Sequence, residues 1–113
     1  ANPVFDWPAA CRAGTDCWVV NYVDNDAATK NAQDYACGPR SYDGHDGTDI
    51  GLADLVRMEN GVDVKAAAAG TVGRLRDGAE DRLPGAGEVE TLLAARKGCG
   101  NGVVITHDGG WQS

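Results

Sequence analysis

The apolar residues of the chain fall in short runs with the alternation of β-strands. Residues 17–23, CWVVNYV, are rich in β-branched and aromatic side chains and predict a short strand. In residues 62–78, VDVKAAAAGTVGRLRDG, apolar positions alternate on both sides of a break at Gly70, which predicts two antiparallel strands joined by a bend. Residues 101–111, NGVVITHDGGW, alternate again and end on Asp-Gly-Gly, so we expect a strand that enters a hairpin turn.

Two other segments have helical spacing. Residues 52–60, LADLVRMEN, place apolar side chains three and four positions apart, and the following Gly61 supplies the stop. Residues 84–98, PGAGEVETLLAARKG, carry acids at the start and Arg96 and Lys97 near the end, which suits the helix dipole. This second pattern predicts a short helix in an insertion. The chain is therefore expected to be mostly β with minor α.

Length and charge narrow the class of protein. The 113 residues suit one small domain, and the 16 glycines favour strands joined by turns. The net charge is −7 and the few basic residues are interspersed with acids, so we expect no nucleic-acid partner. No apolar run approaches the roughly 18 residues that a membrane span needs, so no membrane span is expected.

The chain has four cysteines, Cys11, Cys17, Cys37 and Cys99, without the C-x-x-C spacing of a structural zinc site. We favour an oxidised framework, which implies a secreted or periplasmic protein; four reduced, buried cysteines in a cytosolic protein are the alternative. Sequence leaves all three pairings open. As a working hypothesis we pair Cys11 with Cys17 and Cys37 with Cys99, for which loop closure predicts about 2.4 and about 4.3 kcal/mol.

The stretch SYDGHDGTDI, residues 41–50, contains three carboxylates and one imidazole: Asp43, Asp46, Asp49 and His45. Its two glycines disfavour a helix. In a straight strand the α-carbons of His45 and Asp49 would lie about 13 Å apart, too far for both side chains to reach one ion. A shared site for these two residues therefore requires a bend, and Gly47 lies where the bend would be.

With that bend, His45 and Asp49 are ligands of the types that zinc accepts. Asp43 and Asp46 are then candidates to hydrogen-bond the ligands, or they are plain solvated acids. The alternative interpretation is a Gly/Asp turn with a solvated histidine. Spacing alone slightly favours that alternative, because two ligands do not make a metal site.

Three stretches together resemble a known family, the lysostaphin-like zinc metalloendopeptidases, which are peptidoglycan hydrolases of metallopeptidase family twenty-three. GHDGTDIG resembles the family's metal signature, G-x-H-x-G-x-D-[IFY]. GVDVKAAAAGTVGRLRDG resembles the strand pair that follows it, and GCGNGVVITHDGGW resembles the later strand and hairpin. The resemblance covers the chain from about Cys37 to its end, and CGPRSYDGH is similar to the lead-in of some bacterial, periplasmic members.

The resemblance implies that His45 and Asp49 are two of three protein ligands to one Zn²⁺. The third ligand belongs to a later H-x-H motif, and a further catalytic histidine belongs to a Y-x-H motif; neither motif occurs up to Ser113. His107 matches a strand position before the hairpin and is expected to be structural or solvent-facing. Residues 1–36 are then a cysteine-containing lead-in, and residues 37–113 are the N-terminal part of a catalytic domain.

Such an incomplete domain is also expected from the last hairpin. Its return strand would be cut off, which would leave Val103 and Ile105 without a partner unless another chain or the rest of the domain supplies one. The fold implied is an antiparallel sheet or sandwich of the lysostaphin-like type, with short helices in insertions. The C-terminal half of the same domain is one expected partner.

The function implied is zinc-dependent hydrolysis of the peptide cross-links of bacterial peptidoglycan by a periplasmic or secreted enzyme. Zinc would polarise the scissile carbonyl and activate water. The isolated 113-residue chain is expected to be inactive, because it holds only part of the site. The alternative is a catalytically inactive module of the same fold that binds peptidoglycan or regulates a hydrolase.

Overall fold

The computed structural model describes residues 2–95 and 98–113. It contains strands β1 (Cys17–Asn21), β2 (Asp49–Leu52), β3 (Thr71–Arg76) and β4 (Gly102–Thr106), helices α1 (Leu55–Asn60) and α2 (Glu88–Ala94), and a 3₁₀ turn at Asp108–Gly110. The strands form two small antiparallel sheets, β1–β2 and β3–β4. The prediction of a mostly β chain with short helices is confirmed.

The chain divides into two compact units. The β1–β2 unit is Ala9–Lys65, and the β3–β4 unit combines Ala1–Pro8 with Ala66–Ser113. The boundary predicted at 36/37 falls inside the β1–β2 unit, because strand β1 of the lead-in pairs with β2 from beyond that boundary.

In the β1–β2 unit the predicted strand at 17–23 is present as β1. Cys17 lies opposite Leu52, and Asn21 lies opposite Asp49, with an irregularity of register between Val19 and Asn21. In an unbroken antiparallel register Val20 would lie opposite Asp49, and the bulge places Asn21 there instead.

Helix α1 is shorter than the 52–60 pattern predicts. Leu52 belongs to β2, and the helix begins after Asp54, whose carboxylate accepts a 2.8 Å hydrogen bond from the backbone N–H of Arg57. Gly61 ends the helix with a φ of 84°, a conformation that favours glycine. The predicted glycine stop is therefore confirmed, while the start is set by the aspartate cap.

Few apolar side chains are fully buried in the part of the chain that the structure describes. Among residues 2–95 and 98–113, Cys17 is the one completely inaccessible apolar side chain, and the buried polar side chains are Asp34, His45 and His107. Because hydrophobic burial is limited, polar contacts and the disulfide described below carry much of the local order of the β1–β2 unit.

The strand expected at 62–66, before the break at Gly70, does not form. Val64 makes only an isolated bridge with Ala9, and its side chain is 86% exposed. A single paired residue does not make a ladder, so the prediction of a strand in this stretch was wrong. The strand expected after the break is present as β3, and its partner is β4.

The predicted strand and hairpin at 101–111 are confirmed, but the expectation that β4 lacks a partner was wrong. Val103 lies opposite Leu75 and Ile105 opposite Val72, because β3 occupies one edge of β4. On the other edge Ile105 and Ser113 exchange backbone hydrogen bonds of 2.9 and 3.0 Å. The chain therefore begins its return beside β4.

Helix α2 lies within the predicted 84–98 segment and begins after Gly87. Arg82 forms two hydrogen bonds of 2.8 and 2.9 Å with the Glu88 carboxylate, and this pairing lowers the pKa of Glu88 to about 2. The predicted basic end of the helix, Arg96 and Lys97, lies outside the described residues. None of the helices described in this structure has the length and apolar character needed to cross a membrane.

Candidate metal centre

The loop between β1 and β2 is organised by the side chain of Asp24. Its Oδ1 accepts hydrogen bonds from the backbone N–H groups of Asp26 (2.9 Å) and Gln33 (3.1 Å), and its Oδ2 accepts one from Gly44 (3.0 Å). The amide of Asp26 first, then those of Gly44 and Gln33, hold the pKa of Asp24 below its usual value. One carboxylate therefore draws three separate parts of the loop together.

This loop carries His45 into a buried position. The His45 carbonyl accepts a 2.7 Å hydrogen bond from the Asp24 N–H, and the His45 N–H donates one of 3.0 Å to the Tyr42 carbonyl. The imidazole packs on the Tyr42 ring with centroids 4.2 Å apart, and His45 is 9% exposed. Backbone and ring contacts together fix where the imidazole lies, so the interpretation as a solvated histidine is wrong.

The chain bends at Gly47 and enters β2 at Asp49, as the metal hypothesis required. His45 Nε2 then lies 3.3 Å from Asp49 Oδ2. The same carboxylate oxygen accepts a 3.0 Å hydrogen bond from Asn21 Nδ2. The side chains of His45 and Asp49, four positions apart in sequence, therefore lie next to each other. Asn21 on β1 orients the Asp49 carboxylate.

His45 Nε2 is buried and has no hydrogen-bond partner. It approaches Asp49 closely, but the contact lacks hydrogen-bond geometry. Leaving a buried polar atom unpaired costs about 1–3 kcal/mol, so such an atom needs an explanation. An imidazole nitrogen and a carboxylate oxygen side by side are a donor set that a divalent cation such as zinc accepts, and a bound cation would satisfy both atoms.

The other acids of the stretch do not join this pair. Asp43 Oδ2 accepts a 2.9 Å hydrogen bond from the Lys30 N–H, so Asp43 closes the loop, and Asp46 is exposed. Within residues 2–95 and 98–113, no third His, Cys, Asp or Glu side chain comes close enough to His45 and Asp49 to complete a cluster of three. The contact from Asn21 to Asp49 had no signal in the sequence, because it depends on how two distant strands pair.

His107 has a structural role in the β3–β4 unit. It is 5% exposed, its Nδ1 lies 2.8 Å from the Ala69 carbonyl, and its Nε2 lies 2.8 Å from the Ser113 hydroxyl. A carbonyl only accepts, so Nδ1 carries a proton and donates to Ala69, while Nε2 and the Ser113 hydroxyl form the second hydrogen bond. Phe5 packs edge-on against this ring at 5.3 Å. Both nitrogens are satisfied, in contrast with His45.

The cysteines follow the working pairing in part. Cys11 and Cys17 form a disulfide, whereas Cys37 and Cys99 are exposed free cysteines, so the predicted Cys37–Cys99 bridge is not formed. Cys37 lies at a φ of 60° in a turn that the buried Asp34 carboxylate closes by accepting from the Gly38 N–H at 2.7 Å. The turn holds Cys37 at the surface without a bridge.

Comparisons with protein-family models, with curated proteins and with solved structures find no match for this chain.

Proposed function

We propose that the chain forms part of a zinc-dependent endopeptidase of the lysostaphin-like type that hydrolyses peptide cross-links of bacterial peptidoglycan. One observation carries the proposal: the buried Nε2 of His45 has no hydrogen-bond partner and lies 3.3 Å from Asp49 Oδ2. A plain polar turn would gain nothing by burying this nitrogen without a hydrogen bond. The motif resemblance and the bend at Gly47 point the same way.

His45 and Asp49 are the residues that would hold the zinc ion. Bound zinc supplies Lewis-acid polarisation of a carbonyl and activation of water. The remaining contacts pre-orient the two ligands: Tyr42 packs on the imidazole, and Asn21 donates to the carboxylate. Outer contacts of this kind fix ligand orientation and raise metal affinity.

The proposal requires a third protein ligand from outside the described residues, because catalytic zinc sites use three protein ligands. By the resemblance this ligand and the catalytic histidines belong to the C-terminal half of the domain. Two ligands alone bind zinc weakly, so the 113-residue chain by itself is proposed to be inactive.

The proposed complete domain is an antiparallel sheet or sandwich of the lysostaphin-like type in a periplasmic or secreted protein. Support comes from the β3–β4 ribbon, on which Val72, Leu75 and Val103 are each more than half exposed. An isolated two-stranded ribbon is marginally stable in water, and further strands would cover these side chains. The Cys11–Cys17 disulfide suits an oxidising compartment.

The test uses the protein encoded by the complete coding sequence. We expect this protein to bind one equivalent of zinc and to release peptides from purified peptidoglycan. Both properties should be lost in His45→Ala, because the variant removes one of the three proposed zinc ligands. Absence of stoichiometric zinc, or hydrolysis that survives His45→Ala, would contradict the proposal.

The matched control for this experiment is Asp46→Asn. Asp46 is exposed and directly follows His45, so the variant removes a neighbouring charge without touching either proposed ligand. It should keep both the zinc ion and the hydrolysis. Loss of zinc from both variants alike would show that the loop tolerates no change, and would remove the support that His45→Ala gives to the ligand assignment.

A second candidate function is a catalytically inactive module of the same fold that binds peptidoglycan or regulates a hydrolase. The observation that favours it is the lack of a third ligand near His45 and Asp49 among the described residues. The same full-length protein separates the two candidates. Binding to peptidoglycan without hydrolysis, at saturating zinc, would favour the inactive module.

A further inference from the structure

We propose that Cys11, Asp16 and Cys17 form a second metal site, selective for thiophilic divalent cations, when their disulfide is reduced. One ligand atom from each of these residues lies within 4.8 Å of the other two. As a disulfide the two sulfurs are not ligands, but as thiolates they are strong ligands for zinc and cadmium. The inference does not depend on the function proposed for His45 and Asp49.

The turn that carries these residues is held by contacts that do not need the disulfide. The backbone N–H groups of Thr15 and Asp16 donate to the Arg12 carbonyl at 3.0 and 3.1 Å, and the Gly14 N–H donates to the Cys17 carbonyl at 2.7 Å. The Arg12 N–H donates to the Asp16 carboxylate. These hydrogen bonds do not involve the sulfur atoms, so they remain available to hold Asp16 and Cys17 after reduction.

Cys11 is also held near the turn by its neighbours. The Ala10 N–H donates a 2.8 Å hydrogen bond to the Asp63 carbonyl, and Ala9 bridges Val64. Two thiolates on tetrahedral zinc, with Zn–S near 2.3 Å, lie about 3.8 Å apart. Once the disulfide bond is broken, the half-buried Cys11 side chain can rotate until its sulfur lies at this distance from the Cys17 sulfur.

Cys11, Asp16, Arg57 and Asp63 are among the lining residues of an open cavity of about 400 Å³, which gives a cation access to Cys11 and Asp16. Cys17 is fully buried, so its sulfur is reached only after the bond to Cys11 is broken. Charge also favours a cation there. Two thiolates and the Asp16 carboxylate are three negative groups, and the Arg57 guanidinium, whose Nη1 lies 3.3 Å from Asp16 Oδ2, offsets one of them. The remaining negative charge suits a divalent cation.

The redox step consumes one two-electron reductant, either a dithiol or a phosphine. A dithiol becomes a disulfide, or a phosphine takes the oxygen of one water molecule to become a phosphine oxide; in either case the Cys11–Cys17 bond takes up two electrons and two protons to give two thiols. Metal binding then displaces those two protons as the thiols become thiolates. The oxidised protein is not expected to bind metal at this site.

The test uses the Cys37→Ser/Cys99→Ser variant, which removes the two free cysteines. Reduced with a phosphine and titrated with Co²⁺, it should bind one equivalent with a thiolate-to-cobalt charge-transfer band. The oxidised form should show no such band. His45→Ala should keep the band, because an imidazole does not produce it.

Asp16→Asn in the same background should weaken cobalt binding by at least about tenfold, since it removes a charged ligand. Asp46→Asn should leave the affinity unchanged. The proposal is overturned if the reduced protein shows no band, if it loses its far-UV circular dichroism on reduction, or if Asp16→Asn binds cobalt as tightly as its parent.

Discussion

Asn21 donates a 3.0 Å hydrogen bond from Nδ2 to Oδ2 of Asp49. The two residues face each other across β1 and β2, just beyond the irregularity in their register. The oxygen that accepts this bond also lies 3.3 Å from His45 Nε2. Asn21 therefore orients Asp49 toward the imidazole, and we assign it as a positioning residue.

Replacing Asn21 tests this assignment. On the proposal that His45 and Asp49 hold zinc, we expect Asn21→Ala to weaken zinc binding by the protein encoded by the complete coding sequence about 10- to 100-fold, the usual effect of removing a contact that orients a metal ligand. Asn25→Ala, at an exposed position of the following loop, is the matched control. Isothermal titration with zinc measures both. Equal affinities for the two variants would contradict the assignment.

Acid should destabilise the fold through three carboxylates whose pKa values are lowered: Asp24, Asp34 and Glu88. Each binds protons more tightly in the unfolded chain, so each contributes stability that is present above the unfolded pKa, 3.8 for Asp and 4.5 for Glu. This stability is lost as the pH falls through the folded values.

Urea unfolding between about pH 7 and about pH 2 measures the effect. We expect a nearly constant midpoint above about pH 5 and a falling midpoint below about pH 4.5. Asp24→Asn should lower the midpoint at neutral pH and flatten the decline, because it removes one titrating group. A midpoint independent of pH down to about pH 3 would contradict this account.

Gly70 lies where the backbone meets the end of β4. A Cβ at this position would lie 2.5 Å from the Thr106 carbonyl oxygen, 2.7 Å from Ile105 Cγ2 and 2.9 Å from His107 Nδ1. We expect Gly70→Ala to lower the free energy of unfolding by about 1–3 kcal/mol through overpacking. Gly102→Ala, where a Cβ meets no atom within 4 Å, should cause no loss. Equal stabilities of Gly70→Ala and Gly102→Ala in urea unfolding would contradict this prediction, because they would mean that the residues around Gly70 move aside at no cost.

The disulfide can be tested by comparing two double variants. Cys11→Ser/Cys17→Ser should lower the free energy of unfolding by about 2.4 kcal/mol, the loop-closure value for this short loop. Cys37→Ser/Cys99→Ser should leave it unchanged, because both thiols are free. A loss of about 4 kcal/mol in the second variant would instead indicate a bridge between Cys37 and Cys99.

The pattern of the sequence predicted the structure correctly wherever residues close in sequence determine it. The β-branched run at 17–23 forms β1, Asn60-Gly61 ends α1, and the glycine at 47 provides the bend. Pattern failed at 62–66, where alternation was present but the chain supplied only Ala9 as a partner. A strand needs a neighbour, and the choice of neighbour is not a local property.

The sequence by itself named His45 and Asp49 as candidate ligands, from their ligand chemistry and from the motif resemblance, and it indicated a bend at Gly47, because residue type and glycine flexibility are local properties. Only the tertiary structure decided what surrounds them. It buried His45 Nε2 without a hydrogen-bond partner and brought the Asn21 amide into a hydrogen bond with Asp49. It also left Asp43 and Asp46 outside the pair. Those outcomes depend on contacts between residues distant in sequence, such as the pairing of β1 with β2.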